Sequence, residues 1–203
     1  GGGGGGAGAV VARGGGAGGC FTWVGVGRVP ADGVVDLAAL EKLVAGRDRP
    51  LVSIMLANNE TGVIQPVAAA AGIVHAAGGL LHVDAVQGPG RIACDFKALG
   101  ADLMTLSAHK LGGPQGAGAL IRRDGLALEP LIKGGGQERG ARAGTENVAA
   151  IAGFGAAAEA AGGALAVEAA RMTTLRDQLE AGIKAVASDA VIFGAGSPRL
   201  PQT

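Results

Sequence analysis

The sequence predicts an α/β fold, a mainly parallel sheet with helices on both faces, and three observations lead there. Short apolar runs of strand length recur between residues 51 and 122. Segments with helical spacing or glycine-rich turns separate them. The alternation keeps to the lengths of βαβ units, which build parallel sheets because their crossovers place helices on the faces.

Taken in order, the chain opens on "GGGGGGAGAVVARGGGAGG", residues 1–19. Glycine loses the most backbone entropy on folding, so this stretch is expected to be a poor helix or strand. Residues 1–29 are therefore set apart as a glycine-rich segment of uncertain structure, read as a flexible tail, a tag or a frame error. "VVDLAALEKLVAGRD" has Asp36 as a helix N-cap, apolar residues at helical spacing and a stop near Gly46. "LVSIML" reads as a buried strand and "NNETG" as a turn, and Pro66 suits the first position of the helix "PVAAAAGIVHAAG".

"LLHVDA" is the next strand and ends on Asp84. "IACDFKALG" is expected to be a short helix, and "ADLMTLS" a strand ending just before His109 and Lys110. "GAGALIRR" is a strand after a glycine turn. From residue 146 the pattern gives two Ala-rich helices, at 148–163 and 165–187. A strand, "AVIFG", is expected before the final "SPRLPQT". Residues 30–160 thus form the main domain, and 161–203 read as the start of a small α+β domain.

Composition excludes some functions. The 17 basic and 17 acidic side chains give zero net charge over 203 residues, so no nucleic-acid footprint is expected. No run of about eighteen apolar residues is present, so no membrane span is expected, and no secretory leader is visible. Cys20 and Cys94 lie far apart without metal-ligand spacing, which favours a reduced, cytoplasmic setting and no metal.

In open α/β sheets, ligands gather at the carboxyl ends of strands. Asn58 and Asn59 follow "LVSIML", Asp84 ends "LLHV", and Ser107 to Lys110 follow "DLMTL". Singly, the asparagines read as turn chemistry, Asp84 as a helix N-cap and Lys110 as a solvated strand end. Together, at successive strand ends, they favour a site. An amine in an apolar crevice can form a Schiff base, and a carboxylate beside a pyridinium nitrogen keeps that ring an electron sink. This is the demand of pyridoxal 5'-phosphate, whose phosphate also seeks hydroxyls and N–H groups near a helix start. Ser107, His109 and Thr145, which opens a helix behind Gly144, could serve.

"VSIMLANNETGVIQPV", "LHVDAVQ", "SAHKLGGPQGAGAL" and "GGGQERGARAGTENVAAIAG" together resemble the cysteine desulfurases of the class V, fold type I pyridoxal-phosphate enzymes. The likeness covers about residues 30–203, with all four blocks in order. It implies that Lys110 is the Schiff-base and proton-shuttling lysine. Asp84 would pair with the pyridinium nitrogen, Gln87 would donate to the phenolate oxygen, and Asn59 would contact the cofactor. Ser107 and His109 would hold the phosphate, with Thr145 reaching that of a partner subunit. The resemblance thus implies a homodimer, with Arg139 and Arg142 near the interface.

The implied activity removes sulfur from L-cysteine, giving alanine and an enzyme persulfide for iron–sulfur assembly or other acceptor and scaffold proteins. The same cofactor contacts also serve selenocysteine lyases and class V aminotransferases, and a non-catalytic, partner-binding fragment is a further alternative. Two departures stand out. The family's ring-stacking histidine falls near Ala7, whereas the histidines here are His75, His82 and His109, and the upstream phosphate loop has no counterpart. Family members also carry a nucleophilic cysteine and a substrate-binding arginine beyond "RLP-x-T". Neither Cys20 nor Cys94 lies in a matching motif, so this chain alone is expected to be inactive as a desulfurase.

Overall fold

The computed structural model describes residues 9–14 and 21–203. Six strands form one open, mixed sheet: β1 (Ala9–Gly14), β2 (Phe21–Val26), β3 (Pro50–Met55), β4 (Leu80–Asp84), β5 (Leu103–Ser107) and β6 (Gly118–Arg122). Their spatial order is β2-β1-β3-β4-β5-β6. The centre, β3-β4-β5, is parallel. The flanks are antiparallel: β1 against β2 and β3, and β6 against β5.

Two of these strands lie where the glycine-rich segment was expected to be irregular. The short "AVVARG" and "FTWVGV" runs within it carry β-branched and aromatic residues, and pairing to β3 supplies the ladder that glycine's entropy opposes. Ala7 and Cys20, which the sequence reading considered, lie outside the described residues.

Helix α1 (Leu37–Val44) begins as expected, with Asp36 Oδ1 accepting from the Ala39 N–H at 2.9 Å. Helix α2 (Val67–Ala76) starts one residue later than expected, so Pro66 is its N-cap. Leu40 and Val44 of α1 and Val67, Ala70 and Val74 of α2 pack against one sheet face. That face presents Val52, Ile54, Leu81, Val83 and Met104, all at most 1% exposed. Each such side chain contributes roughly 1.5–3 kcal/mol on burial, so this layer dominates stability.

The expected pair of Ala-rich helices is one 39-residue helix, α3 (Val148–Val186). The expected gap between them lies beside Gly162 and Gly163, which the helix runs through. A helical glycine costs about 1 kcal/mol relative to alanine, less than renucleating a helix in an alanine-rich context. By length and composition alone α3 could cross a membrane, although no such segment was expected. Its apolar character comes mainly from alanine, which carries little apolar area.

"IACDFKALG" is not a helix but a single closed turn. Asp95 Oδ1 accepts from the Lys97 and Ala98 N–H groups, and Gly100, at φ +66°, ends it. "AVIFG" forms no strand either. Val191 and Phe193 are 73% and 72% exposed, with no ladder partner among the described residues. The chain then returns to the core. Leu200 is fully buried, its N–H donating to the Gly62 carbonyl, and Arg199 pairs with Glu180 at 2.7 Å. A domain boundary at residue 160 would thus fall inside α3.

The sheet's centre is tied by Asp102, whose side chain is 1% exposed. Its Oδ2 accepts from the Leu81 N–H at 2.8 Å and lies 2.9 Å from His75 Nε2 on α2. Oδ1 is 3.1 Å from Arg123 Nη1, an ion pair at an angle too poor for a hydrogen bond. Removing one partner of a buried pair costs about 3–5 kcal/mol, whereas a half-exposed partner contributes about 1 kcal/mol or less. In urea unfolding, Asp102→Ala is therefore expected to lose several kcal/mol and Arg123→Ala under about 1; equal losses would refute this ranking.

Candidate functional site

The parallel register sets which side chains share a level and a face. Met55 of β3 is opposite Asp84 of β4, which is opposite Thr105 of β5; two residues earlier, Ser53 is opposite His82. Register partners point to the same side, and strands alternate faces with period two. Ser53, Met55, His82, Asp84, Thr105 and Ser107 therefore line the face turned away from α1 and α2. Five of these six are polar, on a half-buried surface. This face, not the apolar one, gathers the polar groups.

Asp84 ends β4 half-buried. No helix follows it, so it is not an N-cap. Its Oδ1 accepts only from the Val86 N–H, at 3.1 Å, and its other oxygen has no partner among the described residues. That oxygen is an acceptor open to a cation or a protonated ring nitrogen. Gln87, three residues on, is half-buried in the turn after β4, where its carbonyl accepts from Arg91 at 3.3 Å.

One strand over, Ser107 ends β5 and the chain tightens into a 3₁₀ turn, Ala108–Leu111, closed by Gly112 at φ +92°. A side chain at that φ would be strained, so glycine suits the turn. Ser107 Oγ lies 2.9 Å from His109 Nδ1, a hydroxyl and a ring nitrogen fixed side by side at the mouth. Lys110 is half-buried in the same turn rather than sealed from water. The structure thus places Asp84 and Gln87 after β4, and Ser107, His109 and Lys110 after β5, at the same end of two neighbouring parallel strands.

Two further expectations fare differently. The asparagine pair divides its work. Asn58 Oδ1 accepts from the Glu60 and Thr61 N–H groups at 2.8 and 2.9 Å and builds the turn. Asn59 is exposed, with no side-chain hydrogen bond among the described residues, and so is available to a ligand. Thr145 is exposed three residues before α3. Asn147, not Thr145, caps that helix, accepting from the Ala150 N–H at 3.3 Å.

The sequence reading missed His82. Its Nδ1 lies 2.8 Å from Ser53 Oγ and its Nε2 3.3 Å from Thr105 Oγ1, so one ring bridges three strands. Burial lowers its pKa from the ordinary 6.5, with nearby Asp84 opposing. The available signal was period two: in "LLHVDA", His82 shares a face with Asp84.

A carboxylate with a free acceptor, an amine, a hydroxyl–imidazole pair and a glycine-closed turn match the donor set that pyridoxal 5'-phosphate requires. Burial, by contrast, pushes the Cys94 thiol up to about 11, and its Sγ rests 3.4 Å from the Ile92 carbonyl. Those are the surroundings of a packed thiol rather than of an activated one.

Residues 22–199 match the family described as aminotransferase class-V. A cysteine desulfurase of Gluconacetobacter diazotrophicus is 46% identical over 175 residues, covering 86% of this chain and 44% of that protein. Cysteine desulfurase NifS of Azotobacter vinelandii is 43% identical over 180 residues, covering 88% and 44% respectively. The solved structure of a NifS-like protein from Rickettsia africae superposes with a TM-score of 0.83 at 41% identity, covering 86% of this chain and 49% of that one. The chain spans less than half the length of the curated relatives it matches.

The Cys94 assignment is directly checkable. Site-resolved iodoacetamide labelling at pH 8 is expected to run about 100-fold or more slower at Cys94 than at free cysteine, accelerating only as pH approaches 11. Rapid labelling at pH 8 would show an activated thiol.

Proposed function

This chain belongs to the aminotransferase class-V family, and from that premise we propose that it binds pyridoxal 5'-phosphate for desulfuration of L-cysteine. The observation that carries this reading is the placement of Asp84 and of Ser107-His109-Lys110 at the same ends of β4 and β5. The names of the relatives narrow the substrate to L-cysteine.

When bound, pyridoxal 5'-phosphate supplies an aldehyde for amino groups and a ring that withdraws electrons from the substrate. The chain's residues do the rest. Lys110 would hold the cofactor covalently through its amine and would carry protons to and from the substrate. The free oxygen of Asp84 would accept a hydrogen bond from the protonated ring nitrogen and so keep it charged. Ser107 and His109 donate to the phosphate, while Gln87 and Asn59 orient the ring. In the overall reaction the Cβ–S bond of cysteine breaks and the sulfur passes to a protein thiolate as a persulfide. The carbon keeps the bonding electrons, takes a proton and leaves as alanine. We assign no described residue of this chain as that thiolate, since Cys94 is held protonated. Iron–sulfur assembly proteins are the acceptors this reading favours, supported by similarity to the cysteine desulfurase NifS of Azotobacter vinelandii.

A homodimer is the assembly we favour. The loop after β6 exposes Leu131 at 97% and Ile132 at 50%, apolar area that water penalises. Glu138 and Arg139 follow in left-handed backbone, at φ +48° and +55°. Such strain costs on the order of 1–3 kcal/mol per residue, which a second subunit would offset.

Added pyridoxal 5'-phosphate is expected to give a visible absorbance band that Lys110→Ala abolishes and Asp84→Asn shifts; a band surviving Lys110→Ala overturns the assignment. Native mass measurement tests the assembly. The unaltered chain should be dimeric and the Leu131→Asp/Ile132→Asp double variant monomeric, and a monomeric unaltered chain would discard the dimer.

A further inference from the structure

The polar row behind Asp84 is left over once the cofactor contacts are assigned. Ser53, His82 and Thr105 come from three strands and meet through one imidazole, with contacts of 2.8 and 3.3 Å. His82 is level with Ser53 but not with Thr105, which sits two residues further along β5, opposite Asp84. The ring therefore leans along the sheet toward the level of the carboxylate. Both ring nitrogens are engaged by hydroxyls, each of which can donate or accept. The position is fixed sideways and along the strand.

We infer that His82 is a positioning residue for Asp84: its ring, clamped between Ser53 and Thr105 on the carboxylate's own face, leaves Asp84 free to pair with a protonated heterocyclic nitrogen. The inference rests on the cofactor reading above. An imidazolium two residues from Asp84 would compete for the same carboxylate oxygen. Two unit charges a few ångströms apart near a protein surface interact strongly enough to shift binding tenfold or more. A clamped neutral ring avoids that competition, and burial supplies the bias toward neutrality.

The groups facing His82 are few. On β4 it is Asp84. On β3 they are Ser53 and Met55, and on β5 Thr105 and Ser107, none of them charged. Arg122 of β6 is level with Leu103, and His109 and Lys110 lie beyond the end of β5. The β1 positions beside this part of β3, Val10 and Ala12, carry no titratable group. At its contacts with the turns after β4 and β5, α3 presents Ala161 and Ala157, with Glu159 exposed between them. Asp84 is thus the charge nearest in sequence and on the same face.

The test uses the chain of 203 residues and two readouts. First, imidazole proton resonances of His75, His82 and His109 are titrated without cofactor, assigned with His82→Gln. His82 should titrate below 6.5, and Asp84→Asn should lower its midpoint further, because the carboxylate favours the cation. Second, affinity for pyridoxal 5'-phosphate is measured against pH from the visible band. Affinity of the unaltered chain should fall about tenfold as pH drops through the His82 midpoint. His82→Gln, which keeps a neutral amide between the hydroxyls, should hold affinity within about threefold over that range. A purely structural His82 would instead lower the unfolding temperature in His82→Gln and leave the pH limb in place. If the band forms but Asp84→Asn leaves the His82 midpoint unmoved, or His82→Gln keeps the limb, the inference falls and the cofactor reading stands. If no band forms in the unaltered chain at pH 8, both fall.

Discussion

The carboxylate of Asp102 is the tie on which the sheet's geometry depends. It sits at the entrance to β5, buried, yet reaches across to the Leu81 N–H at the start of β4. The same oxygen meets His75 on α2, and the other meets Arg123 after β6. One side chain thus fixes β4 against β5, and the sheet against its helix layer. Slippage by one residue would turn every side chain of a strand to the opposite face. Here it would send Asp84 toward α2 and bring Val83 to the polar side. The anchor lies at the amino ends of the strands, and the candidate site benefits at the carboxyl ends.

From that register follows a division of labour between the two faces of the sheet. Val52, Ile54, Leu81, Val83 and Met104 face α1 and α2 and carry the hydrophobic contribution. The residues between them, Ser53, His82, Asp84 and Thr105, leave that core undisturbed. A cofactor site made of charged and hydroxyl groups would be costly inside the apolar layer, where unpaired polar atoms lose their hydration. On the other face the groups satisfy one another, as the Ser53–His82–Thr105 bridge does, or stay open for a ligand, as one Asp84 oxygen does. Stability and chemistry therefore share strands without sharing side chains.

The candidate site was legible where its logic was local. Asp84, Ser107, His109 and Lys110 each follow an apolar run of strand length, so their place at strand ends could be read directly. Where roles depend on which neighbour forms a bond, local reading was weaker. Nothing in "NNETG" says that Asn58 builds the turn while Asn59 stays free. Nothing in "GTEN" says that Asn147 rather than Thr145 caps α3. His82 was passed over because a lone histidine in a strand has no local signature. Its meaning lies in Ser53 and Thr105, 29 and 23 residues away in sequence.

By itself, then, the sequence determined the α/β class, the core strands, the start of α1 and the residues that end β4 and β5, because apolar periodicity and turn chemistry act over a few residues. Tertiary structure decided what only pairing and packing can decide. It made strands of "AVVARG" and "FTWVGV" by giving them a neighbour, and denied a strand to "AVIFG" for want of one. It carried α3 unbroken through the adjacent Gly162 and Gly163, where propagation costs less than a new start. It returned Leu200 to the core and set His82 beside Asp84, since both depend on contacts that no short window of residues contains.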